Sequence, residues 1–298
     1  MLHKTATLAL AVMAGQWMAE DVYAQTVQVI GPNDRPARLL LPETEEPSSL
    51  ILFLHGYGSN SADMDRYLGL SRQQDQFGFA LLFPEGLVDS SSRQFWNATS
   101  FCCDFEQTQV DDSAYLRALI EEAVQKYNID PQRIMVWGYS NGGFMAYRMA
   151  CDHADLISGI VNLTGAMHLD PNQCRPTQPV DILHIHGTAD EVVSYSAGKQ
   201  TQPGAEASVA AWAQFNRCAT TDWLEGARQV VNVNSFYHDA LDWNSRDIRQ
   251  TGETDVLQYR ACEEDARVTL WKVNGAGHGL NLRSDWIKQS LQELGQLD

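Results

Sequence analysis

The chain of 298 residues is short of several things, and each shortage narrows what it can be. After its first two dozen residues it has no apolar stretch near the 20 or so residues that an α-helix needs to cross a bilayer, so no stable membrane association is expected. Positive charge is scarce: 21 Lys and Arg stand against 38 Asp and Glu, a formal net charge of −17. Such a surface repels phosphate backbones and anionic lipid headgroups, which argues against a nucleic-acid partner or an acidic membrane partner. Six Cys are too few for a disulfide-dense miniprotein. Internal repeats and Pro- or Ser-rich linkers are absent, so no domain boundary is signalled. His55, His184 and Cys174 lack zinc-like spacing, and no metal is expected.

What is present begins with a three-part N-terminus. His3 and Lys4 precede an apolar run, Thr5 to Met13, followed by a more polar stretch and Val22-Tyr23-Ala24. That pattern predicts a secretory signal peptide over residues 1–24, cut before Gln25. Gln16, Glu20 and Asp21 interrupt the run and argue against a retained anchor. A single domain over residues 25–298 is the economical reading, with nothing left over for a polymer-binding module. The expected location is extracellular or periplasmic, where the Cys can pair.

From residue 36 onward, short apolar runs alternate with helical patterns. The runs are Leu50–Leu54, Phe79–Phe83, Arg133–Trp137, Ile157–Leu163, Val180–His186 and Val268–Val273. Continuous rather than alternating apolarity suits strands covered on both faces. Between them, 111–127, 143–150, 205–215 and 284–294 read as helices, with Asp111 or Asp112 capping the first. The pattern predicts an α/β fold, a mostly parallel central sheet with helices on both faces.

Gly138-Tyr139-Ser140-Asn141-Gly142 matches Gly-x-Ser-x-Gly. Alone it would occur by chance in about one chain in ten of this length. Its setting, an apolar strand before and a helical run after, makes it the nucleophile elbow of an α/β-hydrolase, with Ser140 the nucleophile. A serine hydroxyl needs a base. In that fold the acid and the base follow along the chain, each from a turn after a strand. Asp190, in His186-Gly187-Thr188-Ala189-Asp190, occupies the acid position, and His278, in Gly275-Ala276-Gly277-His278-Gly279, the base position. Asp255 is the reserve acid. Main-chain N–H groups of Asn141, after the nucleophile, and Tyr57, in His55-Gly56-Tyr57-Gly58, are the expected oxyanion donors. His55 and His186, each before a Gly at a strand end, read as structural hydrogen-bonders rather than catalysts. Trp96 and Tyr139, with Tyr57, are candidate substrate contacts, packing being the alternative.

These motifs, together with Trp96-Asn97-Ala98, Cys102-Cys103, Val110-Asp111-Asp112 and Gly143-Phe144-Met145-Ala146, resemble the secreted polyhydroxybutyrate depolymerase and feruloyl esterase group of α/β-hydrolases, a carbohydrate-esterase branch. The resemblance spans about residues 36–294. It implies cofactor-free carboxylic-ester hydrolysis by a triad that maps onto Ser140, Asp190 and His278. Many members carry Trp-Pro soon after the catalytic His, where this chain has Gly279-Leu280-Asn281, and the stretch between Cys218 and Cys262 is long, so it either covers the cleft or makes a surface excursion.

Cys151 and Cys174 both fall at the lower edge of the expected sheet and are plausible partners, as are Cys218 and Cys262. Cys102 and Cys103 then pair with each other or elsewhere, and six Cys allow 15 full pairings. The functional expectation is a secreted serine esterase acting on a small or polymer-linked ester, of feruloyl or acetyl type on plant polysaccharide. The alternatives are a polyhydroxyalkanoate depolymerase, a non-catalytic binding module on the same fold and, with least support, a serine peptidase.

Overall fold

The computed structural model describes residues 26–197, 202–232, 236–237, 248–249 and 253–297. The expected signal segment lies outside them. The chain enters through two antiparallel strands, β1 (Thr26–Ile30) and β2 (Ala37–Leu41). It continues through β3 (Ser48–Leu54), helices α1 (Ser61–Leu68) and α2 (Gln74–Phe77), and β4 (Phe79–Phe83). A small hairpin, β5 (Leu87–Val88) and β6 (Gln94–Phe95), precedes α3 (Asp112–Lys126) and β7 (Ile129–Tyr139). Then come α4 (Asn141–Asp152), β8 (Gly159–Leu163), β9 (Asp181–Gly187) and α5 (Ala205–Phe215). The last part holds β10 (Thr220–Arg228), the paired β11 (Phe236–Tyr237) and β12 (Ile248–Arg249), β13 (Thr254–Arg260), β14 (Val268–Val273) and α6 (Trp286–Glu293).

Ten strands form one sheet in the order β1-β2-β4-β3-β7-β8-β9-β14-β13-β10. The six apolar runs of the sequence are its six central strands, all mutually parallel. The flanking pairs β1–β2 and β13–β10 run antiparallel to their neighbours. Burial explains the unbroken apolarity. Leu50, Leu52 and Leu54 of β3 pack on one face with Leu116 and Leu119 of α3, Phe144 of α4 and Trp212 of α5. Ile51 and Phe53 pack on the other face with Met64 of α1 and with Trp286 and Leu291 of α6. Each strand therefore feeds two cores, and a polar residue on either side needs a buried partner.

Asp111 is the cap of α3: its side chain accepts from the Ala114 N–H at 3.0 Å. Asp112 instead turns inward to Arg35, 2.7 Å away, and accepts from the Asn97 N–H. Beyond β14, the stretch between Cys218 and Cys262 supplies the edge strands β10 and β13. After β10 the chain buries Val230 and Val231 and bonds to the loop after His278, Asn232 N–H donating to Asn281 O at 2.8 Å. The described part of this excursion thus extends the sheet and braces that loop.

The cysteines pair Cys151–Cys174, Cys218–Cys262 and Cys102–Cys103. The Cys218–Cys262 bridge closes a sequence separation of 44 residues, for which chain entropy gives a stabilisation of about 4 kcal/mol. The double replacement Cys218→Ser, Cys262→Ser is expected to lower the unfolding free energy by about 2–4 kcal/mol in urea titrations, and an unchanged midpoint would contradict this.

Candidate active site

The parallel strands end on a common edge, and the loops leaving that edge carry the chemistry. β3 and β7 are in register at Leu54 and Gly138. The turn from β7 into α4 is tight. A Cβ on Gly138 would lie 2.0 Å from Gly142 O, and one on Gly142 would lie 2.1 Å from Leu54 O. Only glycine fits at either place. Between them Ser140 takes φ 53° and ψ −117°, a conformation that costs a residue with a side chain of order 1–3 kcal/mol and raises its hydroxyl above the sheet edge.

The loops after β9 and β14 are laced together. Ala189 N–H donates to Ala276 O at 2.9 Å, and Gly275 N–H donates to Thr188 Oγ1 at 2.8 Å. This lacing sets Asp190 beside His278. His278 Nδ1 lies 2.8 Å from Asp190 Oδ2, and its Nε2 lies 2.9 Å from Ser140 Oγ. The three residues expected from the sequence are therefore joined in one line. The second oxygen of Asp190 accepts from the N–H groups of Val192 and Val193 at 2.9 and 2.8 Å. Burial alone would push the pKa of Asp190 up. Hydrogen bonds from His186 and His278 outweigh that and hold the carboxyl well below the usual range, so it stays ionised. Asp255 is elsewhere, accepting from Gly226 N–H and Asn274 Nδ2.

Beside the serine runs the loop after β3. A Cβ on Gly56 would lie 3.4 Å from Ser140 Cβ, so the His55-Gly56-Tyr57 backbone passes against the nucleophile. Asn141 is the first residue of α4, and the first N–H groups of a helix lack intrahelical acceptors. Its side chain, which the sequence did not single out, clamps Trp96: Oδ1 accepts from Trp96 N–H at 2.8 Å and Nδ2 donates to Trp96 O at 2.9 Å.

Two expectations are corrected. Trp96 and Tyr139 are 0% and 2% exposed, so neither offers a face to substrate. An indole N–H buried in a core needs an acceptor, and that of Trp96 finds His55 O at 3.0 Å. The Tyr139 hydroxyl donates to His278 O at 3.0 Å, holding the histidine's own backbone. Both residues support the site from below. His55 and His186 are hydrogen-bonded as read: His55 Nε2 accepts from Gly86 N–H at 2.9 Å, and His186 Nε2 faces Val193 O at 2.8 Å. The sequence reading missed that His186 Nε2 also lies 3.2 Å from Asp190 Oδ2. The signal was available, since a His four residues before an acid across a Gly turn folds back onto it.

A family model described as phospholipase/carboxylesterase matches residues 39–221, a stretch holding Ser140 and Asp190. The chain is 26% identical over 276 residues to NocK of Nocardia uniformis subsp. tsuyamanensis, a protein named as an esterase, covering 92% of this chain and 74% of that one. It is 28% identical over 210 residues to feruloyl esterase B of Piromyces equi, covering 66% of this chain and 34% of that protein. With the bifunctional acetylxylan esterase/xylanase XynS20E of Neocallimastix patriciarum it shares 26% over 162 residues, 54% of this chain and 22% of the other. It therefore spans about a third or less of the two fungal proteins. Among solved structures, an acetyl xylan esterase from Aspergillus awamori superposes with a TM-score of 0.62 at 13% identity, over 91% of this chain and all 100% of that one. Esterase PE8 gives 0.54 at 17%, with the same coverage. At these identities the likeness is one of fold.

The depressed Asp190 carboxyl carries a stability prediction. A group ionised more readily folded than unfolded stabilises the fold above its unfolded pKa of about 3.9 and loses that contribution as pH falls through its folded value. Asp190→Asn removes the contribution. The gap in unfolding free energy between wild type and this variant is expected to shrink steadily below about pH 4, and a gap that widens would contradict the assignment.

Proposed function

The chain belongs to the phospholipase/carboxylesterase family of α/β-hydrolases and is a carboxylic ester hydrolase; from that premise we propose that it is an exported serine esterase acting on feruloyl- or acetyl-type esters of plant polysaccharides. The observation that carries the reading is the unbroken line Ser140–His278–Asp190 at 2.9 and 2.8 Å. Ser140 Oγ attacks the ester carbonyl as His278 Nε2 takes its proton, and Asp190 orients the imidazole through Nδ1 and stabilises the imidazolium. The carbonyl oxygen gathers negative charge at the N–H groups of Asn141 and Tyr57, which are fixed before substrate arrives. His278 then returns the proton to the leaving alcohol oxygen. It next deprotonates a water that attacks the acyl carbon, and Ser140 leaves with the proton restored.

Support for the ester class comes from two directions. Relatives named as feruloyl and acetylxylan esterases align with this chain. Beside the oxyanion loop, Phe105 stands edge-on to Tyr57 at 5.3 Å and is 62% exposed, an open apolar surface suited to an aryl acyl group. Export is supported by the three-part N-terminus and by the three disulfides.

Ser140→Ala is expected to lower p-nitrophenyl acetate turnover by about 10³-fold or more with the fold intact by circular dichroism; retained turnover would remove the proposed nucleophile. Methyl ferulate, acetylated xylan and short hydroxybutyrate oligomers, assayed side by side, decide the ester. The first two are expected to lead, and preference for the third would replace the polysaccharide reading with depolymerisation of polyhydroxyalkanoate.

A further inference from the structure

His184 and His186 alternate on β9, so both rings leave the same face of the sheet. That face carries α4 and α5. Both histidines are fully buried, as is Tyr147 of α4. Together they make a continuous chain to the triad acid: Tyr147 Oη to His184 Nδ1 at 3.0 Å, His184 Nε2 to His186 Nδ1 at 3.0 Å, and His186 Nε2 to Asp190 Oδ2 at 3.2 Å and Val193 O at 2.8 Å.

Heavy-atom geometry fixes where each proton sits. At one end, His186 Nε2 faces a carbonyl and a carboxylate, which only accept, so Nε2 carries hydrogen. At the other end, the Tyr147 hydroxyl has His184 Nδ1 as its one hydrogen-bond partner among the described residues, and a buried hydroxyl donates where it can. His184 Nδ1 therefore accepts, its Nε2–H donates, and His186 Nδ1 accepts. Every ring nitrogen is satisfied with both imidazoles neutral, and every donor points toward Asp190. Burial agrees, pushing the His184 imidazole down and the Tyr147 phenol up, away from their charged forms.

We propose that His186 is a positioning residue for the triad acid, and that Tyr147 and His184 lock it in the Nε2–H tautomer that shares Asp190 Oδ2 with His278. This rests on the triad reading above. The shared donor draws electron density from the carboxylate, so Asp190 stabilises the His278 imidazolium less than it would alone. The same contact holds the carboxylate plane against rotation.

Other charged or titratable groups face the chain. Tyr195 stands edge-on to His186 at 5.8 Å, its hydroxyl bonded to Glu206 at 2.8 Å and its ring in the field of Asp255. Lys272 pairs with His186 in register on β14, its ammonium over the rings of Tyr195 and Trp223. All of these remain in a variant changed only at residue 186.

Two variants isolate the donor. His186→Phe fills the space without an N–H, whereas His186→Gln places an amide N–H near the position of Nε2. For His186→Phe the acid limb of kcat/KM is expected to move up by about half to one pH unit. A fall in kcat of about tenfold with little change in KM should accompany it. His186→Gln is expected to restore most of both. A Phe variant with its acid limb unmoved, or Phe and Gln variants that behave alike, would overturn the proposal while leaving the triad standing, because the triad fails only if Ser140→Ala remains active. Nitrogen-15 spectra of the wild type keep the test independent of variant folding. Nε2–H signals are expected for both His184 and His186; an Nδ1–H tautomer at either ring would contradict the chain.

Discussion

A carboxylate taken out of water must be met by donors, and Asp190, 6% exposed, is met by four. Much of the local architecture follows from that requirement. Two of the donors are backbone groups of Val192 and Val193, which fold the loop after β9 back on itself. The third is His278, brought in because the loop after β14 is laced to the loop after β9. The fourth is His186, on the strand itself. With the acid held this way, the imidazole has one orientation available, and its free nitrogen meets Ser140.

The serine is placed by a different constraint, backbone crowding. Gly138 and Gly142 let β7 and α4 approach β3 so closely that no side chain fits between them. The resulting turn forces Ser140 to positive φ and leaves the N-terminus of α4 open beside it. Asn141 performs two tasks there. It opens the helix, and its side chain clamps the Trp96 main chain. The aromatic residues nearest the motifs belong to this supporting layer, and the open apolar surface is supplied by loop residues such as Phe105.

The central sheet was legible because its six strands are covered on both faces, which leaves continuous apolar runs. The edges were not. β10 is exposed over almost all of its length and sets Trp223 and Leu224 among Thr, Asp, Glu and Arg, so no continuous apolar run marks it. Helix α1, short and half-buried, is equally faint. Ser140, Asp190 and His278 could be singled out because each sits in a glycine-rich turn after a strand, in the chain order of this fold, and the structure joins the three by hydrogen bonds. Trp96 and Tyr139 were misread because a motif fixes a residue's position along the chain but not the side of the backbone its ring takes. His186 was read as structural, although its place four residues before Asp190 across a glycine turn was the signal for their contact.

The account stands on Ser140 being the atom that carries the acyl group. Its most direct test is mass spectrometry of the intact and digested protein after brief exposure to a slowly deacylating ester or a phosphonylating ester analogue. One adduct per chain on the peptide holding Ser140, formed in step with loss of esterase activity, is the predicted result. An adduct on another residue, or full activity in a protein whose Ser140 is completely modified, would contradict it.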